Sequence, residues 1–502
     1  MYDLSDGGPS IEQAKSPPSA PSVFTNCGEP KRQETPIKRA QKKLKRVPFT
    51  VSRLMEFCTR RELVNQTGPD IPEWPEVVLK ELIDNSLDAC EEAESPPVIS
   101  IAVNDGSIII EDNGPGIPTK TIDGVLDYSV RVSSREAYCS PTRGAQGNAL
   151  KTILPMAYVL DERRGEEASG ITIIEANGIA HQIAFGVDHI RQEPKITHTT
   201  KPSSVVQGTR IRVQLPAIDF GEGYKPRDIV ADSKDHCIRL ADAYAWLNPH
   251  LSLKLSWNGE NKIDIKASNP EWRKWLPSWP TSAHRYDQGR FRRYMAAHIA
   301  NCGDITVREF ISEFAGMSST AKQKQVLAET GASHVSLHSF FGLHKANTTN
   351  IAKLLASLKK HSKPVKATGL GVIGKEHFYR LMVAAGGDPK TFTYQRSFGE
   401  TNGVPRVTEF AFGIHHAGLN DGDYRQSRKI VTGVNWSAGI NNPFRQLGRG
   451  GESLDSLLRD VCASTSEPVI AVLHLACPRV AYTDRGKSAI VVESEIDNAE
   501  ED

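Results

Sequence analysis

Apolar side chains recur every three or four positions near residues 75–93, which is the spacing of one helical face. This stripe consists of Val78, Leu79, Leu82, Ile83 and Cys90. The pattern predicts a helix over about 75–93, and a shorter pattern predicts another over about 50–65. Strand-like and helical segments then alternate to about residue 265, which indicates an α+β layer structure.

The middle of the chain, residues 284–360, has a mostly helical pattern of apolar positions. Its amphipathic stretches are Val307–Phe314, Ala321–Glu329 and Asn350–Lys360. We predict that this region is a helical insert domain, which follows a first domain over residues 47–265.

A second α/β unit is predicted over residues 361–492. Strand patterns at Val407–Phe412 and Val469–Leu475 alternate there with a helical pattern at Ser453–Ala463. Residues 493–502 are predicted to be an acidic tail.

The first 46 residues are rich in Pro, Ser, Gln and Lys and contain too few apolar side chains to offset the chain entropy lost on folding. We predict that they form a disordered tail. The tail ends in the basic run Lys38–Arg46, which would bind phosphates with little sequence preference, or would be a solvated linker. Since the net charge of the chain is only +1, any contact with DNA must come from local patches.

Cysteine spacing and hydropathy exclude several classes of protein. The eight cysteines include no CxxC pair, which argues against a zinc site and, with no signal peptide in the sequence, against disulfides. No uninterrupted apolar run approaches the roughly 20 residues that a membrane span needs. We expect a cytoplasmic protein, associated with the nucleoid.

The helix predicted over 75–93 carries the first candidate chemistry. Glu81, Asn85 and Asp88 are spaced by four and three residues, so they project from one face of the helix. Glu81 would polarise a water molecule, and the side-chain oxygen of Asn85 would ligate a magnesium ion above a phosphate chain. Taken alone, the same pattern is also typical of a solvated acidic helix face.

A predicted hairpin follows this helix and ends at the second candidate residue. Asn104-Asp105-Gly106 between two apolar runs is a strong hairpin signal, and the second strand leads into Asp112. The Asp112 carboxylate would accept a hydrogen bond from the exocyclic amine of adenine, whereas guanine presents a carbonyl there. Gly114 and Gly116 would let the base approach the backbone, although an ordinary turn also contains such glycines.

Two further segments suit a nucleotide. A small-residue turn runs into a helical pattern, so its backbone amides, with the charge of Lys151, would bind phosphate oxygens. The candidates in this turn are Gly144, Gln146, Gly147, Asn148, Ala149, Leu150 and Lys151. The preceding polar segment 133–141, which includes Ser134, suits a lid. In the predicted strand 208–213, the Thr209 hydroxyl would reach the base through water, although this segment also fits an ordinary strand.

In their order and spacing, these four segments resemble the sequence motifs of the ATPase superfamily of gyrase, Hsp90, histidine kinases and MutL, over residues 47–216. The resemblance implies a Bergerat-type α/β sandwich that binds ATP between helices and a mixed sheet. The sequence departs from the superfamily at Ala149, where many members have glycine, which would make the phosphate loop stiffer.

Further stretches resemble the B subunit family of DNA topoisomerase VI. Residues 49–68 resemble the family's amino-terminal strap, and residues 81–93, with the sequence ELIDNSLDACEEA, resemble its version of the first helix. Asn248-Pro249-His250 resembles the turn after its first domain. Residues 304–314 resemble the start of its helix-two-turns-helix domain, and residues 482–488 resemble its transducer loop. The resemblance implies that Lys487 in this loop reaches the terminal phosphate of ATP. A lysine in a polar loop is otherwise usually just solvated.

The family resemblance implies three domains (ATPase, helical insert and transducer) with ATP and Mg²⁺ as cofactors. It implies an ATP-dependent homodimer that closes as a gate around duplex DNA and works with a separate A-type subunit that cleaves DNA. Only fifteen residues follow Lys487, so we expect an A-type partner to bind weakly, or to bind the acidic tail through a basic patch. A standalone ATP-operated DNA clamp is the alternative; a histidine kinase is disfavoured because no phosphoacceptor helix precedes the site.

Overall fold

The computed structural model describes most of the chain from Phe57 onward. The described residues are 57–128, 139, 141–143, 149–161, 170–188, 190–191, 193–219, 223, 225–342, 346–415, 428–447, 452–483 and 489–491. All of them belong to one compact unit, residues 52–502. None of the helices in these ranges has the length and apolarity that a bilayer crossing requires.

The first region contains six helices and eight strands among the described residues. In chain order they are α1 (Arg60–Thr67), α2 (Trp74–Glu92), β1 (Val98–Asn104), β2 (Ser107–Asp112), α3 (Thr119–Leu126), α4 (Ala149–Leu160), β3 (Gly170–Ala176), β4 (Ile179–Asp188), β5 (Glu193–Pro202), β6 (Thr209–Gln214), α5 (Ile229–Asp232), α6 (Lys234–Leu247), β7 (Ser252–Trp257) and β8 (Glu260–Ile265).

The eight strands form one mixed sheet in the order β5-β4-β3-β6-β2-β1-β7-β8. The strands pair antiparallel except β1 and β7, which are parallel. The predicted hairpin is confirmed, since Asn104 pairs with Ser107 and both turn residues, Asp105 and Gly106, have positive φ. The helices α2, α4 and α6 pack on this sheet and contribute to its core.

The helical region lies between the two sheets along the chain. Its helices are α7 (Gln288–Cys302), α8 (Val307–Ser312), α9 (Thr320–Thr330), α10 (Leu337–Phe341) and α11 (Thr348–His361). Thr306 and Glu309 form a reciprocal capping box that fixes the start of α8. The region has a hydrophobic core of its own, rich in aromatic rings such as Phe291, Phe310 and Phe314.

The last region contains α12 (Lys375–Ala384), β9 (Thr393–Thr401), β10 (Val404–Ile414), β11 (Arg428–Val434), β12 (Ser437–Ala438), α13 (Leu454–Asp460), β13 (Val469–Ala476), β14 (Ala481–Tyr482) and β15 (Ile490–Val491). Five of its strands form a sheet in the order β12-β11-β13-β10-β9. Helix α6 contacts strands of both sheets, and a Cβ atom on Gly433 would lie 2.3 Å from the Leu247 side chain. Side chains of both sheets belong to one hydrophobic core.

The predicted fold class, a mixed α+β structure, is confirmed, and most elements lie where the periodicity placed them. The first helix is the main difference, since α1 begins at Arg60, and residues 50–56 of its predicted range lie outside the described part. Leu63 of α1 is fully buried, and Arg60 Nε donates to the Val159 carbonyl of α4 at 3.4 Å. The described part of the expected strap, residues 57–68, therefore packs against its own chain through the buried Cys58 and Leu63.

Candidate functional site

Helix α2 presents two uncommitted polar side chains on one face. Its apolar stripe is buried against the sheet and α6, and Pro75 in the first turn suits the start of the helix. Glu81 and Asn85 are half-buried, one turn apart, and neither makes a hydrogen bond or ion pair with any described residue. A carboxylate and an amide in this state are available to a water molecule, a metal ion or a ligand.

Asp112 lies at the carboxyl end of β2 and is held by three hydrogen bonds. Its Oδ1 accepts from the backbone amides of Gly114 at 2.9 Å and Thr209 at 3.2 Å, and Oδ2 accepts from Ser86 Oγ at 3.0 Å. Burial raises the pKa of this carboxyl group, and the three donors act against that rise. The carboxylate is thus fixed in direction and largely shielded from water.

The sheet order explains why two distant sequence motifs meet at Asp112. Strand β6 pairs with β2, which brings Thr209 beside Asp112 although 97 residues separate them. Thr209 is buried, and a Cβ atom on the preceding Gly208 would lie 1.8 Å from the carbonyl oxygen of Asp112. Only glycine permits this approach of the two backbones.

The two glycines after Asp112 are required by their surroundings. Gly116 has φ +81°, and a Cβ atom there would lie 3.1 Å from the carbonyl oxygen of Gly208. A Cβ atom on Gly114 would lie 3.0 Å from Asp112 Oδ1. A side chain at either position would therefore disturb the loop that follows β2.

Asp88 and Lys151 make contacts within the protein that the sequence did not indicate. Asp88 is buried, and its Oδ1 accepts a hydrogen bond from Arg143 at 2.9 Å. Lys151 is also buried, its Nζ donates to the carbonyl of Asp127 at 2.6 Å, and burial lowers its pKa. A nucleotide would have to compete with these bonds to contact either charged group.

Ala149 and Leu150 begin α4 and are half-buried. The other predicted site residues lie outside the described part of the chain: Ser134, Gly144, Gln146, Gly147, Asn148 and Lys487.

Asn85, the predicted magnesium ligand, lies within the described part of the chain. Within the described ranges, no group of three His, Cys, Asp or Glu side chains could hold a metal ion. One protein oxygen together with nucleotide phosphates and water suits Mg²⁺, which keeps several waters when it binds.

A buried charged network beside the site was missed by the sequence analysis. Arg143 is fully buried, and its guanidinium donates to Asp88, to both oxygens of Glu91 at 2.6 and 2.8 Å, and to Asn248 Oδ1 at 2.6 Å. Although burial alone would raise the pKa of Glu91, Arg143 and Lys274 hold it well below its usual range. His250 Nε2 lies 2.9 Å from Glu91, which gives the Asn-Pro-His turn a structural role.

A second buried cluster joins α2 to the five-stranded sheet. Lys80 Nζ lies 2.7 Å from Asp84 and donates to Ser437 Oγ at 2.8 Å, while the Tyr244 hydroxyl donates to Asp84 at 2.8 Å. Since Ser437 belongs to β12, the helix that carries Glu81 and Asn85 is bonded directly to the second sheet.

Comparison with known proteins gives this geometry a context. Residues 70–219 match the family model described as Histidine kinase-, DNA gyrase B-, and HSP90-like ATPase. This range contains Glu81, Asn85, Asp112 and Thr209. The uncommitted face of α2 and the anchored Asp112 thus lie inside the matched ATPase region.

Relatives named as the B subunit of type 2 DNA topoisomerase 6 match most of the chain. The protein of Archaeoglobus fulgidus is 22% identical over 433 residues, which covers 84% of this chain and 67% of the relative. That of Methanococcoides burtonii is 24% identical over 82% of this chain and 64% of its own length. That of Pyrococcus abyssi is 24% identical over 84% and 79%, respectively. The chain spans about two thirds of the first two relatives. The chain therefore carries a histidine kinase-, DNA gyrase B- and HSP90-like ATPase domain and is a relative of the topoisomerase 6 B subunits.

Proposed function

We propose that this protein is the ATP-binding and ATP-hydrolysing subunit of a type IIB DNA topoisomerase. The observation that carries the proposal is the arrangement of α2 and β2 in the matched ATPase region. Glu81 and Asn85 are uncommitted on one face of α2, and Ser86 of the same helix donates to the anchored Asp112. Helix α2 and strand β2 therefore bring together an acceptor for adenine (Asp112), a metal ligand (Asn85) and a group that activates the attacking water (Glu81).

In this proposal, each side chain has a separate role. Asp112 accepts a hydrogen bond from the adenine amine, and its fixed direction excludes guanine, which offers a carbonyl at that position. Asn85 holds Mg²⁺, which would neutralise charge on the phosphates when bound. Glu81 takes a proton from the water that attacks the terminal phosphate. Lys487, by family resemblance, contacts that phosphate from the transducer loop.

We further propose that ATP closes a dimer of this chain around duplex DNA and that a separate A-type subunit cleaves the DNA. This part rests on the relatives, which are named as B subunits of a topoisomerase. The division into ATPase, helical and transducer domains at residues 47–265, 284–360 and 361–492 belongs to the same proposal. The aromatic core of the helical region is distinct from the core that the two sheets share, which supports a separate assignment of the middle region.

A decatenation assay tests this function. The purified chain is mixed with an A-type topoisomerase VI subunit, linked DNA circles, Mg²⁺ and ATP, and the Glu81→Ala variant serves as the control. We expect released circles that require ATP and both subunits, and none with the variant. Salt-resistant, ATP-dependent retention of circular DNA by the chain alone, without decatenation, would instead indicate a standalone clamp.

A further inference from the structure

The turn between β11 and β12 contains two consecutive buried residues with positive φ. Asn435 has φ +52° and Trp436 has φ +64°. Asparagine tolerates this left-handed conformation, whereas a bulky residue such as tryptophan is a rare occupant. Strain of this kind persists only where the surroundings over-determine it, and it concentrates at functional sites.

The surroundings of Trp436 hold both its ring and its peptide groups. The ring is fully buried, with Lys274 Nζ 4.9 Å from its centroid and the Trp272 ring centroid at 5.9 Å. Its amide donates to His474 Nε2 at 3.3 Å. Its carbonyl accepts from Asn248 Nδ2 at 2.9 Å and from Arg143 Nε at 3.5 Å. The strained residue thus joins the Arg143 network to β13.

The Asn435 side chain joins the same two parts of the molecule independently. Its Nδ2 donates to the Thr142 carbonyl at 3.4 Å, and its Oδ1 accepts from the Cys477 amide at 2.8 Å. A carbonyl only accepts and an amide N–H only donates, so the orientation of the Asn435 amide is fixed by its partners. The Asn435 side chain is buried, and both of its hydrogen bonds are partly buried.

The two partners of Asn435 precede the two segments that the sequence assigns to the phosphates. Thr142 and Arg143 run directly into residues 144–148, and Cys477 lies ten residues before Lys487. We infer that the Asn435–Trp436 turn is a positioning element that couples nucleotide binding in the ATPase region to the five-stranded sheet. The inference rests on the proposed ATPase function and gives a positioning role to a residue pair outside the matched ATPase region, residues 70–219.

The test replaces Asn435 by glycine, which keeps the left-handed backbone and removes both side-chain bonds. The matched control is Asn402→Gly, because Asn402 also has positive φ (+50°) in a two-residue turn of the same sheet, but is exposed. For each protein, we would measure ATP-analogue affinity, the kcat and KM of ATP hydrolysis, and hydrogen exchange of β13 with and without analogue.

We expect Asn435→Gly to bind the analogue within about threefold of wild type, while its kcat falls by at least about tenfold. The analogue should slow hydrogen exchange of β13 in the wild type and in Asn402→Gly but not in Asn435→Gly. A residue with only a structural role would change exchange equally with and without nucleotide.

Wild-type kcat and an unchanged exchange response in Asn435→Gly would overturn the inference and leave the ATPase proposal intact. If wild-type protein itself binds no ATP analogue, the ATPase proposal fails and the inference fails with it. If Asn435→Gly does not fold, Asn435→Asp decides by the same criteria, because it keeps the acceptor for Cys477 and replaces the donor to Thr142 by a carboxylate oxygen, which repels that carbonyl.

Discussion

Replacing Asp112 by asparagine separates nucleotide recognition from folding. The asparagine oxygen can keep the two backbone amides of Gly114 and Thr209, which both donate to Oδ1. Its amide group then occupies the Oδ2 position and donates to Ser86 Oγ, since a hydroxyl both donates and accepts. We therefore expect the Asp112→Asn variant to remain folded.

The same substitution removes the charged acceptor proposed for the adenine amine. A hydrogen bond to a charged group contributes about 1.5–3 kcal/mol, and an unsatisfied buried group costs about 1–3 kcal/mol more. The sum, about 2.5–6 kcal/mol, corresponds to a loss of ATP affinity of about 70-fold or more.

Isothermal titration with ATP and Mg²⁺, together with thermal unfolding, measures both consequences. The control is Asp105→Asn, which makes the same chemical change at an exposed hairpin position whose positive φ suits asparagine. That variant should bind ATP like the wild type. An Asp112→Asn protein that is folded and binds ATP within about threefold of wild type would refute the assignment of Asp112.

Two further predictions concern the stability of the fold, and a third concerns the dimer in the proposed function. Arg143→Met leaves Asp88 and Glu91 buried without their shared cation, so we expect the free energy of unfolding, measured with urea, to fall by about 3–5 kcal/mol. The control Arg191→Met, at an exposed position, should lose less than about 0.5 kcal/mol, and equal losses would refute the stabilising role of the network. Burial lowers the pKa of His377 to about 4, so the unfolded chain takes up a proton at a higher pH than the folded state does. Relative to His377→Gln, the free energy of unfolding of the wild type should be constant above about pH 6.5 and fall by on the order of 3 kcal/mol toward pH 4. Parallel pH profiles of the two proteins would contradict this prediction. A non-hydrolysable ATP analogue should convert monomers to dimers in sedimentation velocity, and an unchanged mass would contradict the gate proposal.

The parts of the site that the sequence predicted all depend on local patterns. The face of α2 with Glu81 and Asn85 follows from helical spacing, and the hairpin before Asp112 follows from an Asn-Asp-Gly turn whose last two residues need positive φ. Each of these signals spans fewer than about twenty consecutive residues, so helical periodicity and turn chemistry suffice to find them.

The missed parts depend on contacts between distant segments. Arg143 meets Glu91 and Asn248 across 52 and 105 residues of sequence, and no local pattern marks such a pair. The Asn435–Trp436 turn was missed because tryptophan is not a residue that signals a left-handed turn. Lys151 remains a predicted phosphate ligand from its position after the small-residue turn. Its bond to the Asp127 carbonyl depends on how α4 packs, which no local pattern shows.

The proposed role of Glu81 is tested by the rate of Mg²⁺-dependent ATP hydrolysis by the purified wild type and by Glu81→Ala, with ATP affinity measured on the same samples. We expect the wild type to hydrolyse ATP and Glu81→Ala to bind it equally well. Turnover by the variant should fall by about 10²–10⁴-fold, the usual contribution of a general base. Hydrolysis by Glu81→Ala within about tenfold of the wild-type rate would contradict the account, because another group would then activate the water.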